Sequence, residues 1–269
     1  MIKCQNRPFL KWVGGKRQIL NALMARVPKA VCTYFEPFVG GVALFFALAP
    51  RRAFLSDQNE RLIRAYRGVR DDVEGVITRL SAYPHDRVFF CEMRKRDIDL
   101  ESDADVAAWL IYLNKTCFNG LYRVNRKNLF NVPFGRYENP TICNAELLHA
   151  CSLALHGVEI KHADFSVILE HAKPGDFVYF DPPYAPLSAT SSFTSYTAEG
   201  FGPKDQIRLR DTVIGLKERG VSVLLSNSSA GFIREIFSGE RFTIEEVMAS
   251  RNVSSKGTTR GKIPELLIH

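Results

Sequence analysis

The sequence predicts an α/β fold in which a doubly wound sheet is interrupted by a mainly helical insertion. Two short β-prone runs, 33–36 and 177–180, each end in turn-forming residues. Between them, within 58–144, charged and apolar residues alternate with helical spacing. The α/β pattern returns from residue 145, so the intervening segment is predicted to be an insertion.

The first 57 residues predict a βαβ unit. The run 33–36 precedes Pro37, a turn follows at Val39-Gly40-Gly41, and 42–48 continues as an apolar helix. A second short strand, 53–56, ends at Asp57. A glycine turn and an acidic residue are thereby predicted at the ends of two successive strands.

Helical spacing predicts helices at 61–70, 73–82 and 104–113. The segment 114–140 that follows is rich in Asn, Gly and Pro and is too irregular for a long regular element. A long polar, aromatic and basic loop in a compact protein is usually functional, and we expect a hairpin here.

The second α/β segment contains an apolar strand at 177–180, a helix at 204–218 and a strand at 221–225. Ligands of open α/β sheets bind at the carboxyl ends of the strands. We therefore expect a discontinuous catalytic domain, 1–57 and 145–269, and an inserted target-recognition domain, 58–144.

Composition excludes several classes of protein. The chain of 269 residues is 46% hydrophobic and 24% charged, as in ordinary soluble globular proteins. No apolar run reaches the roughly 18 residues of a membrane span, and the first residues lack the apolar core of a secretory signal, so we expect a cytosolic protein. The six cysteines form no CxxC pair and no zinc-type cluster with histidine, so we expect free thiols and no metal.

The distribution of charge favours a polyanionic partner. The net charge is +7, and basic residues concentrate in three stretches, 1–35, 114–140 and 251–262. A solvated surface explains most charge runs, but three separate stretches rich in small polar residues favour nucleic acid.

The segment FVYFDPPY, 177–184, combines groups that suit a planar amine. The two prolines make the strand end rigid, and the Asp181 carboxylate with a backbone carbonyl can accept both hydrogens of an NH2 group. Tyr184 can stack on the ring that bears the amine. Acceptors on both N–H bonds favour localisation of the amino lone pair toward an electrophilic methyl group. The alternative is a rigid turn in which Asp181 caps a helix.

Two further segments suggest a cofactor that contains adenosine. In YFEPFVGG, 34–41, glycines let a ligand approach the backbone, and Asp57, 17 residues after Gly40, is placed to bind ribose hydroxyls. In FLKWVGGKR, 9–17, Lys16 can pair with a cofactor carboxylate and Trp12 can face the cofactor's tail. Packing of the glycines and a basic turn that opens a helix are the respective alternatives.

The loop 119–137 is the candidate for reading a nucleic acid. Arg123 can bond guanine O6 and N7 in the major groove, while Leu121 and Pro133 can contact thymine methyl groups. The alternative is a hairpin with a solvated basic face.

These motifs, in this order, resemble the Dam-type DNA adenine-N6 methyltransferases of the α group (D12 class). The resemblance covers nearly the whole chain, from Phe9 to about Leu267. It includes FLKWVGGK, EPFVGG, SDQN, YLNKTCFNGLYRVN, FNVPFGRY, YFDPPYAPLSATSSFTSY, LLSN and SSKGTTRGK. The segments FDPPYAPLSAT and FNVPFGRY are highly specific.

The resemblance implies a Rossmann-like methyltransferase sheet, S-adenosylmethionine as methyl donor, no metal, and double-stranded DNA as partner. The family's catalytic site corresponds to Asp181, Pro182, Pro183 and Tyr184. Its cofactor contacts correspond to Trp12, Lys16, Phe38, Gly40, Asp57, Asp164, Phe165 and Asp181. Its DNA contacts correspond to Lys11, Asn119, Leu121, Arg123, Asn125, Pro133, Arg136 and Tyr137.

By the same resemblance we expect methylation of adenine N6 in GATC, with the base flipped into the pocket. We expect a monomer in solution that acts in the cytoplasm, at the nucleoid of a bacterium or in a phage-infected cell. The chain departs from many relatives at Val42 and at Ser228-Ser229, near the cofactor turn and the rim of the active site.

The sequence alone leaves two other functions open. A methyltransferase for cytosine N4 or for RNA would use similar chemistry, although cytosine-N4 enzymes more often carry Ser in place of Asp181. A non-catalytic DNA-binding module could keep the same fold, but the intact segment 181–184 argues against it. The sequence leaves open whether the protein is solitary, phage-borne or paired with a restriction nuclease.

Overall fold

The structure is a computed structural model that describes residues 7–187, 200–250 and 262–269. The motif segments 188–196 and 254–261, and the third basic stretch up to residue 261, lie outside the described residues. No helix of the described part is long and apolar enough to cross a membrane.

Seven strands form one mixed sheet, in the order β3-β2-β1-β4-β5-β7-β6. The strands are β1 (Tyr34–Glu36), β2 (Ala53–Asp57), β3 (Glu159–His162), β4 (Phe177–Phe180), β5 (Ser222–Ser228), β6 (Ile244–Ser250) and β7 (Lys262–Ile268). Strand β1 pairs in parallel with both β2 and β4, and β4 pairs in parallel with β5. Strand β7 runs antiparallel to β5 and β6. The strand order reverses at β1, which confirms the predicted doubly wound α/β fold.

Ten α-helices accompany these strands in the described residues: α1 (Leu20–Met24), α2 (Ala43–Leu48), α3 (Glu60–Asp71), α4 (Val73–Ala82), α5 (Arg87–Lys95), α6 (Asp103–Thr116), α7 (Ala145–Leu155), α8 (Ile168–His171), α9 (Pro203–Glu218) and α10 (Gly231–Ile236). Short 3₁₀ turns lie at Lys16–Gln18, Phe118–Gly120 and Phe165–Val167. The helices predicted at 42–48, 61–70, 73–82, 104–113 and 204–218 are thus confirmed within a few residues.

The sequence did not predict helix α5 or the antiparallel strands β6 and β7. Asp86 starts α5, because its side chain accepts the backbone N–H of Phe89. Strand β7 enters the sheet between β5 and β6, with Ile268 opposite both Leu225 and Ile244. Pairing of this kind depends on residues distant in sequence, which local periodicity does not report.

Contact density divides the chain into two compact units, each interleaved along the sequence. We call Met1–Gly15, Gly40–Ala49 and Asp57–His162 the helical unit, and Lys16–Val39, Pro50–Ser56 and Ala163–His269 the sheet unit. The division into a catalytic domain, 1–57 and 145–269, and a target-recognition domain, 58–144, remains a prediction.

Helix α6 forms the centre of the helical unit. Ser102 caps it by accepting the N–H of Asp105, and the following run is apolar on all sides, so that Trp109 and Tyr112 are fully buried. The Trp109 indole N–H donates to the carbonyl of Met93 at 2.7 Å and so ties α6 to α5.

Gly68 lets α3 approach the first turn of α6. A Cβ atom at this position would lie 2.2 Å from the carbonyl oxygen of Asp103, which is backbone and has little room to move. We expect Gly68→Ala to lower the free energy of unfolding by about 2–3 kcal/mol. Thermal unfolding measures this change, with Gly231→Ala as control because nothing lies within 4 Å of a Cβ there. An equal effect of both substitutions would contradict close packing at Gly68.

In the sheet unit, Glu245 on β6 has two side-chain partners, Arg26 and His269. The Arg26 guanidinium donates to both carboxylate oxygens, and His269 Nε2 lies 2.8 Å from Oε1. These hydrogen bonds, first that of Arg26, lower the pKa of Glu245 from 4.5 to about 2.

Because the folded-state pKa of Glu245 is depressed, its stabilisation is present above about pH 4.5 and is lost as pH falls toward 2. The carboxylate is 40% exposed, so we expect less than about 1 kcal/mol. Urea unfolding between pH 3 and 6 should therefore show a shallower acid decline for Glu245→Gln than for the unmodified chain. Parallel declines would contradict the assignment.

Candidate active site

Strand β4 positions the central acidic group of the site. All four of its residues, Phe177–Phe180, are buried, as expected for a strand covered on both faces. Asp181 follows at the carboxyl end, and Pro182 cannot continue the hydrogen-bonded ladder. The carboxylate of Asp181 is therefore presented at the sheet edge where the strand order reverses, between β1 and β4.

Asp181 has two direct polar partners within the sheet unit. The Lys16 ammonium lies 2.9 Å from Oδ1, and the two side chains are only 5% and 21% exposed. The Ser226 hydroxyl, on β5, donates to the same oxygen at 2.9 Å, and its Oγ lies 3.0 Å from the hydroxyl of Tyr179. The carboxylate is thus fixed by one cation and one hydroxyl.

Burial and ion pairing oppose each other at this pair. Burial raises the pKa of Asp181, and the charge of Lys16 opposes the rise. Burial alone would lower the pKa of Lys16, but the charge and hydrogen bond of Asp181, with smaller contributions from nearby groups, together outweigh burial and raise it. Lys16 therefore stays charged and keeps an anion beside it.

Two side chains contact Tyr184, one at the face of its ring and one at its hydroxyl group. The Lys16 ammonium lies 4.5 Å from the ring centroid, and the hydroxyl donates to Glu265 Oε2 at 2.9 Å. Burial, followed by the charge of Asp181, raises the pKa of Tyr184 well above its ordinary value. The phenol is thus neutral and acts as a donor.

A second cluster of the sheet unit is aromatic. Phe38, just after β1, stacks on Phe165 with centroids 5.4 Å apart, and Phe201 meets both rings edge-on. Arg208 lies 4.2 Å from the Phe165 centroid and donates to both oxygens of Asp164. Burial opposes ionisation of Asp164, but the hydrogen bonds of Arg208 and Ser166, together with the charge of Arg208, outweigh burial and lower the pKa of Asp164.

In the helical unit, the glycine turn lies against Trp12. Gly40 has φ +45°, and a Cβ there would lie 2.9 Å from Trp12 Cδ1, so no larger residue fits. The Gly40 carbonyl accepts from the hydroxyl of Tyr66 at 2.9 Å, and Trp12 stacks on Tyr122 at 5.4 Å. Val42 has φ 44°, an uncommon conformation for a β-branched residue.

Asp57 ends β2, as predicted. Its Oδ1 accepts the backbone N–H of Asn59 at 2.8 Å, and Asn59 in turn caps α3. The carboxylate is therefore oriented by the turn into the helix.

The predicted hairpin follows α6 in the helical unit. Two antiparallel bridges, Cys117↔Phe134 and Val124↔Phe130, join its sides. The fully buried Asn114 fixes the start of the hairpin. It accepts the N–H of Lys11 and donates to the carbonyls of Lys11 and Gly120, all at 2.8 Å.

The eight predicted DNA-contacting residues all belong to the helical unit. Six of them are exposed and two are half-buried: Lys11, Asn119, Arg123, Asn125, Pro133 and Arg136, then Leu121 and Tyr137. Arg123 donates through Nε to the Asn131 side chain at 2.7 Å. The Lys11 ammonium lies 4.8 Å from the centroid of the Tyr137 ring. Asn125 Oδ1 accepts two turn N–H groups, those of Lys127 and Leu129.

The structure thus gathers most of the predicted site residues into three groups, and Asp57 lies apart from them at the turn into α3. Lys16, Asp181 and Tyr184 form one group in the sheet unit, and Phe38, Asp164 and Phe165 form another. Trp12 and Gly40 lie together in the helical unit, with the hairpin residues. Sequence reasoning missed Ser226, Glu265, Arg208 and Asn114. Ser226 lies in the LLSN segment, which gave a weak signal, whereas Glu265 gave none.

No group of acidic, cysteine or histidine side chains that could hold a metal is present among the described residues. A doubly wound sheet, a glycine turn, a strand that ends in Asp-Pro-Pro-Tyr and a basic hairpin define the class of α/β methyltransferases that act on an amino group of a nucleic-acid base. The D12 class N6 adenine-specific DNA methyltransferase family matches residues 12–253.

The chain belongs to that family and is an adenine-specific DNA methyltransferase. It is 44% identical to the Type II methyltransferase M1.LlaDCHI of Lactococcus lactis subsp. cremoris, over 99% of this chain and 96% of the relative. It is 42% identical to the Type II methyltransferase M.MjaIII of Methanocaldococcus jannaschii, over 97% and 98%. It is 36% identical to the DNA adenine methylase of Escherichia coli (strain K12), over 98% and 95%. S-adenosylmethionine is the methyl donor that this family implies.

Proposed function

We propose that this enzyme methylates N6 of adenine within GATC in double-stranded DNA, and that it flips the target base out of the duplex. The observation that carries the sequence preference is the hairpin, where Arg123 is exposed and oriented by Asn131, and which also contains the apolar Leu121 and Pro133. A guanidinium fork suits guanine, and apolar groups suit the thymine methyl.

The side chains present fit S-adenosylmethionine, which supplies an electrophilic methyl group when it is bound. A Cβ at Gly40 would fill the space beside Trp12, and the stacked Phe38 and Phe165 offer an apolar surface for an adenine ring. We propose Trp12, Lys16, Phe38, Gly40, Asp57, Asp164, Phe165 and Asp181 as cofactor contacts.

We assign the chemical step to the group around Asp181. The carboxylate accepts one N–H of the adenine amino group, and a backbone carbonyl of the segment 181–183 accepts the other. The carbonyl of Pro183 already accepts from Gln206 at 2.9 Å, so those of Asp181 and Pro182 are the candidates. Tyr184 stacks on the base, and the lone pair is thereby directed at the methyl group.

The proton released on methyl transfer needs an acceptor. The Asp181 carboxylate is already hydrogen-bonded to that amino group in this assignment, and burial raises its pKa toward that of a better base. Lys16, which keeps its positive charge, stabilises the carboxylate form before the proton arrives.

Oligonucleotide duplexes test the proposal directly. The enzyme is incubated with tritiated S-adenosylmethionine and with duplexes that contain GATC or a single change at each position. We expect incorporation into N6-methyladenine for GATC only. With 2-aminopurine at the target position, we expect fluorescence to rise on binding, as an unstacked base requires. Equal incorporation into all duplexes would overturn the sequence preference, and unchanged fluorescence would overturn flipping.

Arg123→Ala should relax discrimination at one guanine position. Removal of one bidentate base contact takes away about 1–3 kcal/mol of discrimination, or roughly 10- to 100-fold. Competition binding with the single-change duplexes measures this ratio.

Arg126→Ala is the matched control, because Arg126 is an exposed basic residue of the same hairpin. A basic side chain that binds only phosphate strengthens binding to every duplex. Its removal should therefore weaken binding to all duplexes by the same factor. If both variants lowered binding uniformly, Arg123 would not be a base-reading residue.

A further inference from the structure

Glu265 on β7 pairs with Ser228 on β5, which is two residues further along β5 than Ser226. In the register of β5 and β7, Ser226 is opposite Leu267 and Ser228 is opposite Glu265. Since side chains alternate between faces of a strand, Ser226 and Ser228 share one face, and so do Glu265 and Leu267. Antiparallel pairing therefore brings a carboxylate from the distant end of the chain to the end of β4, where Asp181 and Tyr184 lie.

The environment of Glu265 is unusual for a surface acid. It precedes three buried residues, Leu266, Leu267 and Ile268, and it forms no ion pair in the part of the chain that the structure describes. Its Oε2 instead accepts the phenolic hydrogen of Tyr184 at 2.9 Å. Its charge also contributes to the raised pKa of Lys16. The contacts of Glu265 thus point into the active-site group.

The hydrogen bond restricts the ring of Tyr184. A tyrosine side chain turns about two bonds, and the rigid prolines before it fix only the backbone. The ammonium of Lys16 contacts the face of the ring, whereas the Glu265 carboxylate fixes the tip. A ring held in this way has lost its rotational freedom before the base binds. Stacking on the base therefore carries no further cost for ordering the ring.

We propose that Glu265 is a positioning residue for methyl transfer, acting through the hydroxyl of Tyr184. The inference rests on the proposed roles of Asp181 and Tyr184 in the reaction. In this role Glu265 neither contacts the substrate nor transfers a proton. Misplacement of a reacting group by about 1 Å can cost roughly 100-fold in rate, so removal of the positioning hydrogen bond should appear mainly in kcat.

The test uses the full chain with Glu265→Ala, Glu265→Gln, Tyr184→Phe and the double variant Glu265→Ala/Tyr184→Phe. We expect Glu265→Ala to lower kcat roughly 10- to 100-fold, with KM for S-adenosylmethionine and DNA affinity unchanged within about twofold. Glu265→Gln should restore most of the rate, because its amide oxygen still accepts from the phenol. The double variant should be no slower than Tyr184→Phe, because both changes remove one interaction.

Glu246→Ala is the matched control, since Glu246 is an exposed acid of the adjacent strand β6 that pairs with Arg234. It should leave kcat unchanged. Multiplicative losses in the double variant, or equal losses in Glu265→Ala and Glu265→Gln, would overturn the proposal. If Glu265→Ala unfolds, Glu265→Gln and Tyr184→Phe still decide it by their rates.

A separate variant distinguishes failure of this inference from failure of the proposed site. If Asp181→Asn keeps full activity, the reaction occurs elsewhere and both proposals fall. If Asp181→Asn is inactive while Glu265→Ala is fully active, the site stands and only the role of Glu265 falls.

Discussion

We expect Asp181→Ala to abolish methyl transfer and to leave DNA affinity nearly unchanged. The carboxylate is the acidic group on which the rigid strand end, Lys16 and Ser226 converge. Without it, one N–H of the adenine amine loses its acceptor and the released proton loses its base. Loss of such a group typically costs roughly 10²- to 10⁴-fold in rate.

Single-turnover transfer of tritiated methyl groups measures this loss, and duplex binding in the absence of cofactor measures affinity. Asp211→Ala serves as control, because Asp211 is an exposed acid of the same unit, paired with its neighbour Arg210. Equal losses of binding and transfer in Asp181→Ala would contradict the chemical role of the carboxylate. A small loss of transfer would contradict it as well.

The second large effect concerns Lys16. Its replacement by methionine leaves the Asp181 carboxylate partly buried next to Tyr179 and Tyr184, without its cation. Breaking a buried pair from one side costs about 3–5 kcal/mol, and we expect the lower end because Asp181 is 21% exposed. The pKa of Asp181 should rise further, because burial already raises it and Lys16 opposes that rise.

Two measurements check the Lys16→Met prediction. Thermal unfolding should show a clear destabilisation that Lys16→Met/Asp181→Asn largely reverses, because removal of both charges leaves no unpaired ion. The acid limb of the rate profile of Lys16→Met should move to higher pH, since the raised pKa keeps Asp181 protonated over a wider range. A double variant less stable than Lys16→Met would contradict the pairing, as would an unmoved acid limb.

The parts of the fold that the sequence predicts are those encoded by neighbouring residues. The strand β4 is four apolar residues followed by Asp181 and two prolines, and the turn at Gly40 has a positive φ of +45° that glycine adopts readily. Helix α6 has a capping serine and acidic residues in its first turn. In each case propensity, cap and apolar pattern agree, so local reasoning reaches the observed structure.

The missing parts depend on contacts between distant residues. Strand β7 pairs with β5 across a separation that no periodicity reports, and it alone brings Glu265 to Tyr184. The Ser226 hydroxyl reaches Asp181 from a neighbouring strand, and Arg208 reaches Asp164 from α9. A sequence motif predicts the central residues of the site, whereas the residues that hold them in place are identified only in the folded structure.

Protection of plasmid DNA from cleavage measures methylation of adenine N6 in GATC. Plasmid DNA grown without adenine methylation is incubated with the protein and S-adenosylmethionine. It is then digested with one nuclease that is blocked by N6-methyladenine in GATC and with another that cuts the same site regardless. We expect complete protection from the first nuclease and full cleavage by the second, with no protection by Asp181→Ala. Cleavage by both nucleases, with no N6-methyladenine in the hydrolysed DNA, would contradict the claim.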